Sequence, residues 1–203
     1  MKGALKAVLS SHNENKLREL AALLPGWELE LLGGAEFPEE AGPTYYDNAL
    51  AKARFGREHG DRDAWMLGED SGLEVDGLGG APGIRSARFA PEGHEAVAKL
   101  LGELRGVEGD GRRARYVCEL VALSPEGVKL RGTGVLEGRI GEEARGSEGF
   151  GYDPVFVPAG EERTVAELGN AWKSRHSHRA RAARALLEQT RPRDSPSDPA
   201  KAD

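Results

Sequence analysis

Four carboxylates fall within nine residues at Gly68-Glu69-Asp70-Ser71-Gly72-Leu73-Glu74-Val75-Asp76. They follow the short apolar run Trp65-Met66-Leu67, which reads as the end of a strand. Acids at a strand end, ahead of Ser-Gly, suit the holding of a hard cation or the poising of a water. A carboxylate at a strand end before Ser-Gly has few packing uses, so Asp70 reads as functional. Glu40, beside Glu39 in a loop bearing glycine and proline, joins Glu69 and Asp70 as a candidate metal-side acid. A phosphate-bound Mg²⁺ takes one or two protein carboxylates and keeps several waters.

Cations and hydrogen-bond donors stand elsewhere in the chain. Ser11-His12-Asn13-Glu14-Asn15-Lys16 sits where a first strand turns into a first helix. Backbone N–H groups at a helix start bind phosphate, and Lys16 adds charge to the same group. Asn48 and Lys52 are four apart and project from one helix face. Gly149-Phe150-Gly151-Tyr152-Asp153-Pro154 combines glycines that let backbone approach a ligand with aromatics that stack on a base. Lys173-Ser174-Arg175-His176-Ser177-His178-Arg179 gathers basic and titratable groups at a helix start, which is unfavourable unless an anion sits there. Neither Gly-x-x-x-x-Gly-Lys-Ser/Thr nor His-Glu-x-x-His occurs, so neither a P-loop nor that zinc motif is present.

The elements that must carry these groups alternate. Leu5 to Leu9 reads as a strand and Glu14 to Leu24 as a helix capped by Asn13. Trp27 to Leu32 alternates apolar and acidic residues as a half-buried strand does. Thr44 with Asp47 opens a helix reaching about His59, and Trp65 to Leu67 is the next strand, ending at the acidic cluster. The glycine-rich stretch 77–83 reads as a loop. Glu92 to Leu104 has helical spacing, Arg115 to Leu123 and Val128 to Leu136 read as paired strands, and Val155 to Val157 as another strand. Thr164 with Glu167 marks a cap, Ser174 to Gln189 the last helix, and 190–203 a disordered tail. Together these predict an α/β fold with a mixed sheet.

The 203 residues are 38% hydrophobic, enough for one sizeable domain, expected over 1–189. No stretch has the length and apolarity of a membrane span, and no charged start precedes an apolar middle, so a soluble cytoplasmic protein is expected. The single cysteine, Cys118, excludes an intrachain disulfide and lies in a strand-like run, where a buried structural thiol is expected. The net charge of −6 argues against nucleic acid as the main ligand and leaves a small anion open.

Taken in order, Ser-x-Asn-x-x-Lys, Glu-Glu-x-Gly-x-Thr-x-x-x-Asn-Ala-x-x-Lys-Ala, Glu-Asp-Ser-Gly-Leu-x-Val-Asp-x-Leu-Gly-Gly-Ala-Pro-Gly-Ile-x-Ser-Ala-Arg, Gly-Phe-Gly-Tyr-Asp-Pro-x-Phe and Lys-x-x-x-Ser-His-Arg closely resemble the inosine triphosphate pyrophosphatase family. The resemblance runs from about Lys6 to Leu187 and is most specific between Glu69 and Arg88. It implies an elongated, two-lobed α/β fold with a long twisted mixed sheet and a central cleft. It also implies a Mg²⁺-dependent homodimer that cuts dITP, ITP or XTP between the α- and β-phosphates. By position it makes Asp70 the general base and, with Glu40, a metal ligand. Ser11, His12, Asn13, Glu14, Asn15 and Lys16 would meet the phosphates, and Ser71 the substrate. Phe150, Gly151, Tyr152 and Asp153 would line the base and sugar pocket, and Lys173, His178 and Arg179 the base and phosphate end. Arg179 or backbone N–H groups, assisted by His178, would read the 6-keto oxygen.

The chain departs from the family in two places: His12 stands for a usual glycine, and Glu69 for a frequent aspartate. Two rival readings are a nucleotide sensor that does not hydrolyse and a Maf-like pyrophosphatase for modified pyrimidine triphosphates. Intact Asp70, Glu40 and Lys16 oppose the first, and Ser177-His178-Arg179 opposes the second.

Overall fold

The computed structural model describes residues 4–34, 36–91 and 93–190. Of the tail expected over 190–203, Thr190 is described and forms a turn bonded back to the Leu187 carbonyl, while 191–203 fall outside the described residues. Six strands form one mixed sheet. The first half supplies β1 (Leu5–Leu9), α1 (Glu14–Leu23), β2 (Trp27–Leu31), α2 (Tyr45–His59) and β3 (Trp65–Val75). Here β1 lies between β2 and β3 and runs parallel to both. The second half supplies α3 (Gly93–Glu103), β4 (Arg113–Leu123), β5 (Lys129–Ile140) and β6 (Phe156–Pro158), which continue the sheet antiparallel from β3. Short helices α4 (Val165–Leu168) and α5 (Asn170–His176) precede α6 (His178–Glu188). The mixed α/β class expected from the sequence is the one observed.

Local signals set several boundaries. Asn13 Oδ1 accepts the N–H groups of Asn15 at 2.9 Å and Lys16 at 3.2 Å, which starts α1. Thr44 Oγ1 accepts the Asp47 N–H and starts α2. The Thr164–Glu167 capping box forms in full and starts α4.

Two expectations need correction. The strand at Trp65 does not end at the acidic cluster but runs through it to Val75. Leu73 and Val75 continue the buried alternation, and Gly72 is not a turn residue. A Cβ at Gly72 would overlap the Gly83 carbonyl and the Ser86 and Tyr45 hydroxyls, so glycine serves close approach there. What ends at this point is β1, whose pairing with β3 stops at Leu67. The second correction concerns the last helix. It breaks at Ser177, whose extended backbone and Oγ, accepting the Ala180 N–H at 3.1 Å, begin α6 as a separate element.

The sheet faces are covered unequally. Helix α2 lies on one face, where Ala49 and Ala53 meet Val121. Gly68 lets it approach closely, because a Cβ there would strike the Ala49 carbonyl. On the other face α1 and α6 bury Leu20, Leu24, Ala182, Ala183 and Leu186 against Leu9, Leu67, Cys118 and Leu120. Further along that face α3 buries Leu100 and Leu104 against Leu73, Val75, Leu136 and Ile140. A cleft of about 380 Å³ opens between these two packed regions. Among the described residues no helix is long and apolar enough to cross a membrane.

Candidate active site

Because β1 stops early, β3 has a bare edge beside the acidic cluster. Its odd-numbered residues aim their backbone groups that way. The Leu67 carbonyl accepts Ser10 N–H at 2.8 Å, the last contact with the β1 side. Beyond it, the Glu69 carbonyl accepts Lys52 Nζ at 3.1 Å, and Leu73 N–H donates to Ser86 Oγ at 2.8 Å. Alternation along the strand then sends neighbouring side chains to opposite faces.

Glu69 and Ser71 point toward α1 and α6. Lys16 Nζ lies 2.6 Å from Glu69 Oε2. Arg179 donates to Glu69 Oε1 through Nη2 at 2.9 Å and Nε at 3.2 Å, and to Ser71 Oγ at 3.1 Å. The Cys118 thiol donates to the same Oε1 at 3.4 Å. Burial alone would raise the Glu69 carboxyl, but Lys16 and Arg179 outweigh it and hold it well below the usual carboxylate range. Burial also pushes the Cys118 thiol well above its ordinary value, as expected of a structural thiol.

Asp70 points toward α2. Its Oδ2 accepts Asn48 Nδ2, and its Oδ1 accepts Lys52 Nζ, each at 3.1 Å. Lys52 also pairs with Glu40, whose Oε2 lies 3.5 Å from Arg88 Nη2. Asn48 Oδ1 accepts Gly42 N–H at 2.8 Å, so one side chain joins Asp70 to the loop bearing Glu40. Burial raises the Asp70 carboxyl above its ordinary value; Lys52 opposes the shift and Glu40 adds to it. Among the described residues no three His, Cys, Asp or Glu side chains form a metal cage. The oxygens of Glu40, Asp70 and the Glu69 carbonyl nevertheless converge on one ammonium. Such an all-oxygen set fits a Mg²⁺ that takes its remaining ligands from waters and phosphate.

The far wall of the cleft is equally tied. Lys173 Nζ stands 2.6 Å from both Glu19 Oε1 and Asp153 Oδ2, and 4.2 Å from the centre of the Phe150 ring. Asp153 also accepts Phe150 N–H at 2.9 Å. Tyr152 donates to the Ser86 carbonyl at 3.0 Å, joining this turn to the segment after β3. The His178 ring stacks on Tyr116, with centroids 4.5 Å apart and planes 12° from parallel. Burial, reinforced by Arg179 and Lys173, pushes the imidazole well below its ordinary value, so it is neutral at pH 7. Its Nδ1 is buried without a hydrogen-bond partner among the described residues.

Asn13, Asn15, Lys16, Ser71, Phe150, Gly151, Tyr152, Asp153, Lys173, His178 and Arg179 all line the cleft. Ser11, His12 and Glu14 share the β1–α1 turn but lie outside that wall, as do Glu40 and Asp70 on the other side of the strand. Ser11 Oγ accepts Asn13 N–H at 3.0 Å. A recess of about 270 Å³ opens between α1 and α5 and shares Asn15, Phe150 and Lys173 with the cleft. Sequence reasoning missed Glu19, which pairs with both Lys173 and Arg179. No local signal marks it, since Arg179 is 160 residues away.

This fold and site define an α/β protein whose cleft sets cations and carboxylates around a strand edge, an arrangement suited to a phosphorylated ligand. The chain belongs to the Ham1 family, whose profile matches residues 7–189. This bears out the resemblance drawn from the motifs. A dITP/XTP pyrophosphatase of Leifsonia xyli subsp. xyli is 41% identical over 190 residues, covering 90% of this chain and 94% of its own. That of Symbiobacterium thermophilum is 43% identical over 188 residues, covering 91% and 94%. The solved structure of a HAM1 protein from Coxiella burnetii matches with a TM-score of 0.79 at 33% identity, covering 92% of this chain and all of that one.

Proposed function

We propose that this protein hydrolyses noncanonical purine nucleoside triphosphates (dITP, ITP and XTP) to the monophosphate and pyrophosphate. It thereby keeps them out of DNA and RNA. The observation that carries the reading is a cluster of paired cations and carboxylates on each face of β3 beside its bare edge. Lys16, Lys173 and Arg179 gather on one face, and Asp70, Glu40 and Lys52 on the other. Relatives more than 40% identical over nearly the whole chain bear the name dITP/XTP pyrophosphatase. The reading takes 1–189 as one catalytic domain acting in a homodimer, whose assembly sedimentation equilibrium tests.

In the proposed reaction, water attacks the α-phosphorus and the bond to the bridging oxygen breaks, releasing pyrophosphate. Asp70 takes the proton of that water, and its raised proton affinity suits a base. Lys16 binds the phosphates together with the Asn13 and Asn15 side chains that line the cleft, and its charge offsets that growing on the leaving group. Mg²⁺, when held by Glu40, Asp70 and phosphate oxygens, supplies further positive charge there. Phe150, Tyr152 and Asp153 shape the pocket for base and sugar.

Selectivity follows from donors. Arg179 commits its guanidinium to Glu69, Glu19 and Ser71, so it chiefly holds the wall. The His178 and Arg179 N–H groups, which Ser177 leaves uncapped at the start of α6, and the His178 ring, whose Nδ1 has no partner among the described residues, would meet the purine edge. A 6-keto oxygen accepts from such donors, whereas a 6-amino group leaves them unmatched. Incubation with dITP, XTP, dATP, dGTP and dTTP plus Mg²⁺ tests this. Pyrophosphate and monophosphate are expected from dITP and XTP. Inorganic phosphate alone would overturn the cleavage site, and equal turnover of dATP and dITP the selectivity.

A further inference from the structure

The turn after β1 and the loop before α2 meet through two rings. The His12 ring stands edge-on to Phe37, with centroids 4.6 Å apart and planes at 80°. Phe37 also packs against Phe55 of α2 at 5.1 Å and against the buried cluster of Val8, Leu32, Ala64 and Met66. Phe55 stacks in turn on His59 at 4.0 Å. Phe37 is thus an apolar plug set into the protein, with His12 over it. Three residues further on, Glu40 pairs with Lys52 and Arg88, and Gly42 N–H donates to Asn48.

The described residues between β2 and α2 form no helix or strand, so these side-chain anchors must hold their path. Two of the anchors, at Glu40 and Gly42, are polar and sit beside Asp70. The aromatic contact fixes the other end of the segment. His12 is exposed, and its ring turns to Phe37 rather than into the cleft wall.

We propose that His12 is a positioning residue whose ring clamps Phe37 and so holds the segment that presents Glu40 beside Asp70. The clamp stands on ring geometry alone; its effect on a metal rests on the reading of Glu40 given above. A glycine at position 12 has no ring to offer. The chain therefore carries a contact at this turn that the family's usual residue does not provide.

An endoprotease that cuts after glutamate tests the clamp on the full chain, because Glu36, Glu39 and Glu40 all lie in the segment. Loss of one edge-to-face pair corresponds to about 2- to 12-fold more frequent opening. His12→Gly is expected to speed cleavage by that factor, Phe37→Ala by more because it also loses the packing on Phe55 and the buried cluster, and His12→Phe to restore protection. The double variant His12→Gly/Phe37→Ala should cleave no faster than Phe37→Ala alone. An unchanged rate in His12→Gly, or His12→Phe cleaving as fast as His12→Gly, overturns the clamp. Binding of Mn²⁺, followed by electron paramagnetic resonance, separates the two ideas. His12→Gly and Glu40→Gln should both weaken it. Weakening in Glu40→Gln but not in His12→Gly overturns the positioning role. If Glu40→Gln has no effect, the reading of Glu40 fails while cleavage still decides the clamp.

Discussion

Glu69 and Asp70 are adjacent acids on one strand, and the two faces of the sheet treat them oppositely. Glu69 meets Lys16 and Arg179 directly and is held ionised. Asp70 meets one lysine, one amide and the negative charge of Glu40, and burial raises its proton affinity. One acid is a fixed anchor for two cations, and the other is a group able to exchange a proton. Residue type does not separate them; the alternation of the strand and the charges behind each face do.

Four experiments would break or sharpen that contrast. The largest effect is expected from Asp70→Asn, which should lower kcat by about 10²–10⁴-fold. Binding of a non-hydrolysable dITP analogue should survive, as calorimetry would show. Full activity in this variant would remove Asp70 from the role of base.

Glu69→Gln should act on stability instead. It leaves Lys16 and the deeply buried Arg179 short of a counter-charge, at a cost of about 3 kcal/mol in urea unfolding. The same carboxylate should give the wild type a pH signature. A folded-state pKa held low stabilises above the unfolded value, and that stability is lost as pH falls through the folded value. Glu69→Gln should flatten this acid loss; an unaltered profile would mean the ion pairs contribute nothing.

A smaller change is expected from Lys52→Met. With Asp70 as the proposed base, activity would need its carboxyl ionised, so kcat should rise with pH through its raised pKa. Lys52 is the cation that opposes that rise, so its removal should move the acidic limb to higher pH. A limb that stays in place, or moves down, would detach Lys52 from Asp70. The smallest effect belongs to Glu74→Ala in the same acidic stretch. Glu74 pairs with Arg115, which is half exposed, at 2.7 Å. Such a pair changes stability by about 0.5 kcal/mol, measurable by thermal melting.

Much of this arrangement was legible in the sequence, for identifiable reasons. Asn13, Thr44 and Thr164 announced their helices because capping is a local interaction. The cleft residues in the Phe150 turn and around Lys173 were recognised by type and spacing, and the fold brings them together. The length of β3 was misread because Ser71-Gly72 has the composition of a turn, while the demand on Gly72 comes from Gly83, Ser86 and Tyr45. The break at Ser177 was hidden because residues 173–179 are all polar and no glycine or proline marks the point. Glu19 looked like any solvated helix position until the fold brought Lys173 and Arg179 to it.

The bare edge of β3 has a further consequence, for solubility. An unpaired strand edge is a template for a strand from another molecule, and proteins guard such edges with charge and with side chains that occupy the backbone. Here Lys52 occupies the Glu69 carbonyl and Ser86 occupies the Leu73 N–H. The lysine that steadies Asp70 is thus also a guard against self-association.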